Sequence, residues 1–65
     1  MTLWVNGEAR EVQAAVLPEL VSELGLPLAA VLVEHNGTAL RRDEWTECVL
    51  GEGDRIEIVR VVAGG

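Results

Sequence analysis

The residues TLWVNGEAREV, numbers 2–12, open the chain with the pattern of a β-hairpin. Asn6-Gly7 lies between two runs that suit strands, and an Asn-Gly pair in that setting is the strongest short-range hairpin signal. We therefore expect strands at residues 2–6 and 8–12, joined by a tight turn.

The hydrophobic period changes after this hairpin. Four apolar residues then recur at the i, i+3, i+4 and i+7 spacing of one helix face: Leu17, Leu20, Val21 and Leu24. Pro18 suits the first helical turn, and Gly25 suits the position after the last one. The pattern predicts a helix of about two turns, which must gain stability by packing its apolar face on a sheet.

The remaining segments are shorter. In order they predict a strand at 31–34, a turn at 35–37, a short strand and one helical turn around Trp45 within 40–50, a tight turn at 51–54 and a strand at 55–61.

This order predicts an α+β fold of the β-grasp, or ubiquitin-like, kind. A mixed sheet carries one main helix on one face, and its first and last strands lie side by side at the centre. We expect a single domain over residues 1–65, with a flexible C-terminal Gly-Gly tail at 62–65. Four tail residues reach at most about 13–14 Å beyond the body.

Charge and size restrict the function. The net charge is −6, from 11 acidic and 5 basic residues, and every basic residue is arginine. An acidic surface repels phosphate backbones, so we expect no nucleic-acid partner and a basic patch on any protein partner. A domain of 65 residues has little room for a catalytic cleft, so we expect a carrier or binding protein and not an enzyme.

Residues that commonly act as nucleophiles, bases or metal ligands are few in this sequence. Cys48 is the single cysteine and reads as a small, partly buried residue more readily than as a sulfur-relay thiol. His35 reads as a turn residue, because no Asp or Cys stands at ligand or triad spacing. The acidic residues 43, 44 and 47 are typical of a solvated face. We expect no catalytic residue, no metal and no bound cofactor.

Targeting signals are also missing from the sequence. The start lacks a basic region followed by a long apolar run, and no stretch approaches the ~20 apolar residues that span a bilayer. We expect a cytoplasmic protein with no membrane partner.

The sequence ends in Val61-Val62-Ala63-Gly64-Gly65. Two glycines give a narrow backbone that another protein's active site can admit without a Cβ clash. A carboxylate reacts only after its oxygen becomes part of a leaving group, most commonly by adenylation. We expect Gly65 to react in a partner's active site, with Gly64 and Ala63 threaded behind it. The alternative is an inert frayed terminus or a cloning scar.

A docking surface is predicted near this tail. Leu3, Val5, Ile56 and Ile58 are expected to point inward, which sends the residues between them to the open face of the sheet. Trp4, Val59 and Val61 are then expected to form one apolar patch at the root of the tail, for partner docking. The alternative is that a loop covers Trp4. Trp45 is predicted to plug the core.

The sequence resembles the ThiS family, the sulfur carriers of thiamin biosynthesis. The resemblance covers the whole chain and rests on the segments 5–8, 36–37, 42–45, 53–58 and 64–65, together with Val33 and Leu50. Arg41 departs from the pattern, because family members often have proline there.

The resemblance implies a mechanism. An adenylating enzyme resembling ThiF would use ATP to convert Gly65 to an acyl-adenylate. A persulfide, ultimately from a cysteine desulfurase, would then leave a thiocarboxylate for the thiazole synthase ThiG. Three alternatives stay open: a carrier for molybdopterin synthesis or tRNA thiolation, a non-catalytic β-grasp interaction module, and a modifier that is conjugated to other proteins.

Overall fold

The computed structural model describes residues 1–61. Within them the strands are β1 (Thr2–Val5), β2 (Glu8–Glu11), β3 (Val31–His35), β4 (Thr38–Leu40) and β5 (Arg55–Arg60), the α-helix is α1 (Leu17–Glu23), and two 3₁₀ helices span Leu28–Ala30 and Arg42–Glu47. The predicted order of elements is confirmed. The predicted tail at 62–65 lies outside the described residues.

One mixed sheet holds all of these strands in the order β2-β1-β5-β3-β4. β1 and β5 run parallel, with Trp4 opposite Arg55 and Val5 opposite Ile56. The other neighbours are antiparallel. The predicted pairing of the first and last strands at the sheet centre is therefore confirmed. β5 lies between β1 and β3, and the C-terminal residues follow it.

Two Asn-Gly turns close the antiparallel hairpins. Asn6 and Gly7 have φ values of 50° and 83°, and Asn36 and Gly37 have 50° and 86°. Positive φ at both central residues is the type I′ geometry, whose twist matches that of the flanking strands. Both predicted turns are confirmed, although His35 is the last residue of β3 and not part of the turn.

The helix packs on one face of the sheet as its period predicted. α1 begins at Leu17 with Pro18 in its first turn, and Gly25 follows the C-cap with φ 74°. Its buried face meets alternate residues of three strands in one core, whose most completely buried members are Leu3, Leu17, Leu20, Val21, Val31 and Ile56.

The segment around Trp45 completes this core. Trp45 is 3% exposed, so its predicted role as a core plug is confirmed. The strand expected within 40–50 lies earlier, at Thr38–Leu40, because it pairs with β3 directly after the turn. Arg41 has φ −74°, a value that proline also adopts, but its N–H donates to Glu44 Oε1 at 2.7 Å, a bond that proline could not form. No helix within residues 1–61 is long and apolar enough to cross a membrane.

Candidate functional site

The open face of the sheet lies opposite the helix. Trp4 is 45% exposed there, Val59 60% and Val61 47%, while Ile56 and Ile58 are buried. This division follows from the two-residue period of a strand. The predicted exposure of Trp4, Val59 and Val61 is therefore confirmed.

The prediction that these three residues form one patch is wrong. Trp4 lies beside Arg55 at the start of β5, and Val59 is four residues further along the same strand. At a rise of roughly 3.3 Å per residue, the two positions are about 13 Å apart. Trp4 instead borders a shallow cleft with Gly7, Arg55 and Glu57. Sequence alternation gave the correct face for each residue, but only the register of β1 on β5 gives the distance between them.

A different residue completes the apolar surface near the tail. Leu32 of β3 pairs directly with Val59 and is 61% exposed. The Val61 N–H donates to the Ala30 carbonyl at 2.7 Å, so β3-side pairing continues to the last described residue. We call Leu32, Val59 and Val61 the tail-root patch. Leu32 was not predicted as part of this surface, although the alternation of Val31, Leu32 and Val33 indicated that its side chain is exposed.

Charged residues occupy the middle of the open face. Glu34 of β3 lies directly opposite Glu57 of β5, one row from Leu32 and Val59. These four side chains line a groove on the open face, together with Ala39 of β4. The open face thus has the tail-root patch towards one end, Trp4 beside Arg55 towards the other, and two carboxylates between them.

His35 and Asp54 form a polar cluster at the end of the sheet where β3 ends and β5 begins. His35 Nε2 lies 2.7 Å from Asp54 Oδ2. Asp54 also accepts from Asn36 Nδ2 at 3.2 Å and from the Gly51 N–H at 2.8 Å. Burial acts to raise the pKa of Asp54, but these hydrogen bonds outweigh it, and the pKa lies below its ordinary value. No Asp stands at ligand or triad spacing from His35 in the sequence, but the pairing of β3 with β5 brings Asp54 to it.

Cys48 lies in the buried core. Burial raises the pKa of its thiol, and the nearby Asp54 carboxylate adds to this. A thiol kept protonated is a weak nucleophile. No hydrogen bond joins Cys48 to His35 in the part of the chain that the structure describes. The prediction that Cys48 is at least partly buried is confirmed.

The other candidate groups have local partners. Arg41 binds the Asp43 carboxylate at 3.2 Å and approaches Glu44 at 4.0 Å.

Over residues 1–61, no group of three or more side chains is arranged to hold a metal ion. The segment from Gly51 to Asp54 is the predicted tight turn, closed by the Asp54 N–H on the Gly51 carbonyl at 3.0 Å.

The residues predicted to react and to thread into a partner, Ala63, Gly64 and Gly65, lie outside the described residues. The structure defines the strand that leads to them and the apolar patch at its end. This combination of a small β-grasp body and a central last strand can present a C-terminal segment to another protein.

The sequence matches a known protein family over almost its whole length. Residues 3–65 match the ThiS family. The chain belongs to the ThiS family. It is 35% identical over 63 residues to the sulfur carrier protein ThiS of Thermus thermophilus, covering 97% of this chain and 98% of that protein. The predicted family is confirmed, and with it the role of sulfur carrier in thiamin biosynthesis.

Solved structures agree on the fold. The crystal structure of the thiamine biosynthesis protein ThiS from Geobacter metallireducens matches with a TM-score of 0.82 and 35% identity, covering 100% of both chains. A solution structure of a thiamine biosynthesis protein from the same organism matches with a TM-score of 0.81 and 35% identity over all of this chain and 88% of that one. The predicted β-grasp fold is confirmed.

A longer protein also contains a similar segment. The thiazole synthase of Paramagnetospirillum magneticum is 35% identical over 66 aligned residues, which cover 100% of this chain. The chain spans only 20% of that protein's length.

Proposed function

We propose that this ThiS-family sulfur carrier holds sulfur as a thiocarboxylate on Gly65. The observation that supports the proposal is the family match, which continues through Gly65 itself. The position of β5 agrees with it, because a central strand anchored on both sides gives the following residues a fixed starting point.

The chemistry begins with activation of the Gly65 carboxylate by a ThiF-like adenylating enzyme. A carboxylate oxygen attacks the α-phosphate of ATP, pyrophosphate leaves, and an acyl-adenylate forms. A persulfide sulfur, supplied through a cysteine desulfurase, attacks the acyl carbon and displaces AMP. A thiol then attacks the outer sulfur of the resulting acyl disulfide, so that the S–S bond breaks, the thiocarboxylate remains on Gly65, and the thiol and the former persulfide carrier are joined in a new disulfide. Gly64 and Ala63 are proposed to lie in the narrow channel of the partner, where small side chains avoid a clash.

The proposed recipient is a thiazole synthase of the ThiG type. A thiazole synthase that contains a ThiS-like segment supports this partnership, because joining the two in one chain keeps them together. The carrier itself is proposed to be catalytically inactive and to act as a substrate of its partners. Since its loading consumes ATP, we propose that it works in the cytoplasm.

The proposed docking surface is the tail-root patch, with Trp4 as a second contact. A contiguous exposed apolar patch commonly marks an interaction site, and exposed aromatic side chains such as that of Trp4 are enriched among the residues that dominate protein interfaces. Val59 and Val61 lie on the strand that leads to Gly65, so a partner that binds them is also close to the tail.

Intact mass spectrometry tests the proposed chemistry. The carrier is incubated with ATP, a ThiF-class enzyme and a sulfur donor, and its mass should rise by the difference between one sulfur and one oxygen atom. A variant that lacks Gly65 is the control and should keep its mass. An unchanged wild-type mass, with the enzyme shown to load another carrier, would refute the proposal and favour an inert tail.

A genetic test separates this function from related carriers. A strain that lacks the gene should grow when it receives the thiazole precursor of thiamin. Failure of the thiazole to restore growth would point instead to molybdopterin synthesis or tRNA thiolation.

A further inference from the structure

Two carboxylates face each other at the centre of the open face. Glu34 and Glu57 are direct partners in the antiparallel ladder of β3 and β5, and both are exposed. Directly opposed residues have Cβ atoms about 4.5–5.5 Å apart, and like charges in this position destabilise a sheet. We call Glu34 and Glu57 the acidic pair.

No cation forms an ion pair with either member of the acidic pair within residues 1–61. The ion pairs there join the N-terminus to Glu11, His35 to Asp54, and Arg41 to its two acidic neighbours. Arg55 shares the open face with Glu57, two residues away on β5, yet it forms no ion pair with either glutamate. The described side-chain hydrogen bonds also leave both carboxylates without a donor. The two carboxylates therefore face each other without a bonded partner among the described residues, an arrangement in which like charges repel.

The acidic pair adjoins the proposed docking surface. The next row of the ladder consists of Leu32 and Val59, which belong to the tail-root patch. A partner that covers the patch must also approach the carboxylates. Burying them without a positive charge would be costly, because a desolvated carboxylate requires a charged or hydrogen-bonded partner.

We propose that the acidic pair receives an arginine side chain of the adenylating enzyme when that enzyme binds the tail-root patch. A guanidinium suits the position, because its planar fork of donors can bond two carboxylates at once. The net charge of −6 favours the approach of such a basic surface. This inference rests on the proposed function and specifies how its first partner recognises the carrier.

The proposal predicts opposite effects on folding and on binding. Neutralising either glutamate removes a repulsion from the free carrier, but it also removes an attraction from the complex. If the pair only affected the fold, binding would stay unchanged, because no contact with the partner would be lost.

The test compares the variants Glu34→Gln and Glu57→Gln with Glu8→Gln. Glu8 is an exposed residue of the edge strand β2, and it lies opposite Val5, on the helix side of the sheet. Its substitution changes the net charge by the same amount but leaves the open face intact. For each protein, Tm is measured by thermal denaturation and Kd for the ThiF-class enzyme by calorimetry at low and high salt.

Each open-face variant should raise Tm by about 1–5 °C, since the repulsion is small and the domain is short. Each should also weaken binding at low salt on the order of tenfold, and it should reduce the salt dependence of Kd. Glu8→Gln should leave the Kd close to that of the wild type. A Kd unchanged by both open-face variants would overturn the inference, as would an equal loss of affinity in Glu8→Gln.

Pyrophosphate release by the wild type, measured in parallel, distinguishes a failure of the acidic-pair proposal from a failure of the proposed function. Release by the wild type together with unaffected binding of the variants would refute only the role of the acidic pair. No release from a ThiF-class enzyme that is active on another carrier would overturn the proposed function, and this inference with it.

Discussion

The side chain of Asp54 connects the end of β3 and the turn after it to the loop before β5. Its carboxylate binds His35 at the end of β3, Asn36 in the following turn and the Gly51 N–H in the loop before β5. A hydrogen bond to a charged group contributes about 1.5–3 kcal/mol. The loops at this end of the sheet therefore depend on one ionised side chain.

Acid should weaken the fold through Asp54. Its pKa is lower in the folded protein than its ordinary value, so the folded state favours the ionised form. The resulting stability is fully present above the unfolded pKa of roughly 3.9 and is lost as pH falls through the lower folded pKa. Urea unfolding from pH 7 to pH 3 should show this loss in the wild type and a smaller one in Asp54→Asn. The exposed residue Asp43 supplies the control Asp43→Asn, which should keep the wild-type profile. Equal acid sensitivity of the wild type and Asp54→Asn would contradict the assignment.

Arg42 connects two elements near the root of the tail. Its Nη2 donates to the Val31 carbonyl at 3.1 Å, its Nη1 donates to the Leu28 carbonyl, and its guanidinium lies 4.2 Å from the centroid of the Trp45 ring. Between those carbonyls lies Ala30, which accepts the Val61 N–H. Arg42 therefore supports the segment against which the last described residue is held.

Replacing Arg42 should loosen this support. Arg42→Ala should cost about 2–3 kcal/mol of unfolding free energy, from lost hydrogen bonds and the lost cation–π contact. The Val61 amide should exchange its hydrogen faster, as NMR can measure. Arg41→Ala is the matched control, because Arg41 is exposed and its side chain bonds only neighbouring carboxylates. Its cost should stay within about 0.5 kcal/mol. Equal exchange rates at Val61 in the two variants would exclude the proposed support.

Local sequence signals predicted most elements of the fold. Asn6-Gly7 specifies positive φ at two successive residues, and the spacing of Leu17, Leu20 and Val21 specifies a helix, so both could be found within short windows. Contacts between distant strands could not. The distance from Trp4 to Val59 and the meeting of His35 with Asp54 depend on register, which is set by the whole core.

At the scale of the whole molecule, the two sheet faces differ in exposure. The helix covers one face and fills the core, which leaves the open face accessible to the proposed partners. On that face the tail-root patch adjoins the strand that leads to Gly65. Since the proposed adenylating enzyme and thiazole synthase both need the tail, their binding sites should overlap, and each should bind the carrier in turn.

The extent of the adenylating enzyme's footprint can be tested from the two ends of this face. Leu32 and Trp4 are both exposed, and the register separates Trp4 from the patch by about 13 Å along β5. A standard interface covers about 800 Å² on each partner, enough to include both positions. Leu32→Ala and Trp4→Ala should each weaken binding by about 2 kcal/mol, roughly thirtyfold in Kd.

Folding stability distinguishes a docking role from a structural one for these two residues. Because both side chains are exposed, each variant should lose less than about 1 kcal/mol of unfolding free energy. Val49→Ala is the matched control, since Val49 is an exposed aliphatic residue outside the sheet strands and should affect neither quantity strongly. Normal binding by Trp4→Ala with weak binding by Leu32→Ala would confine the footprint to the tail-root patch. A loss of stability as large as the loss of binding would show instead that the side chain supports the fold.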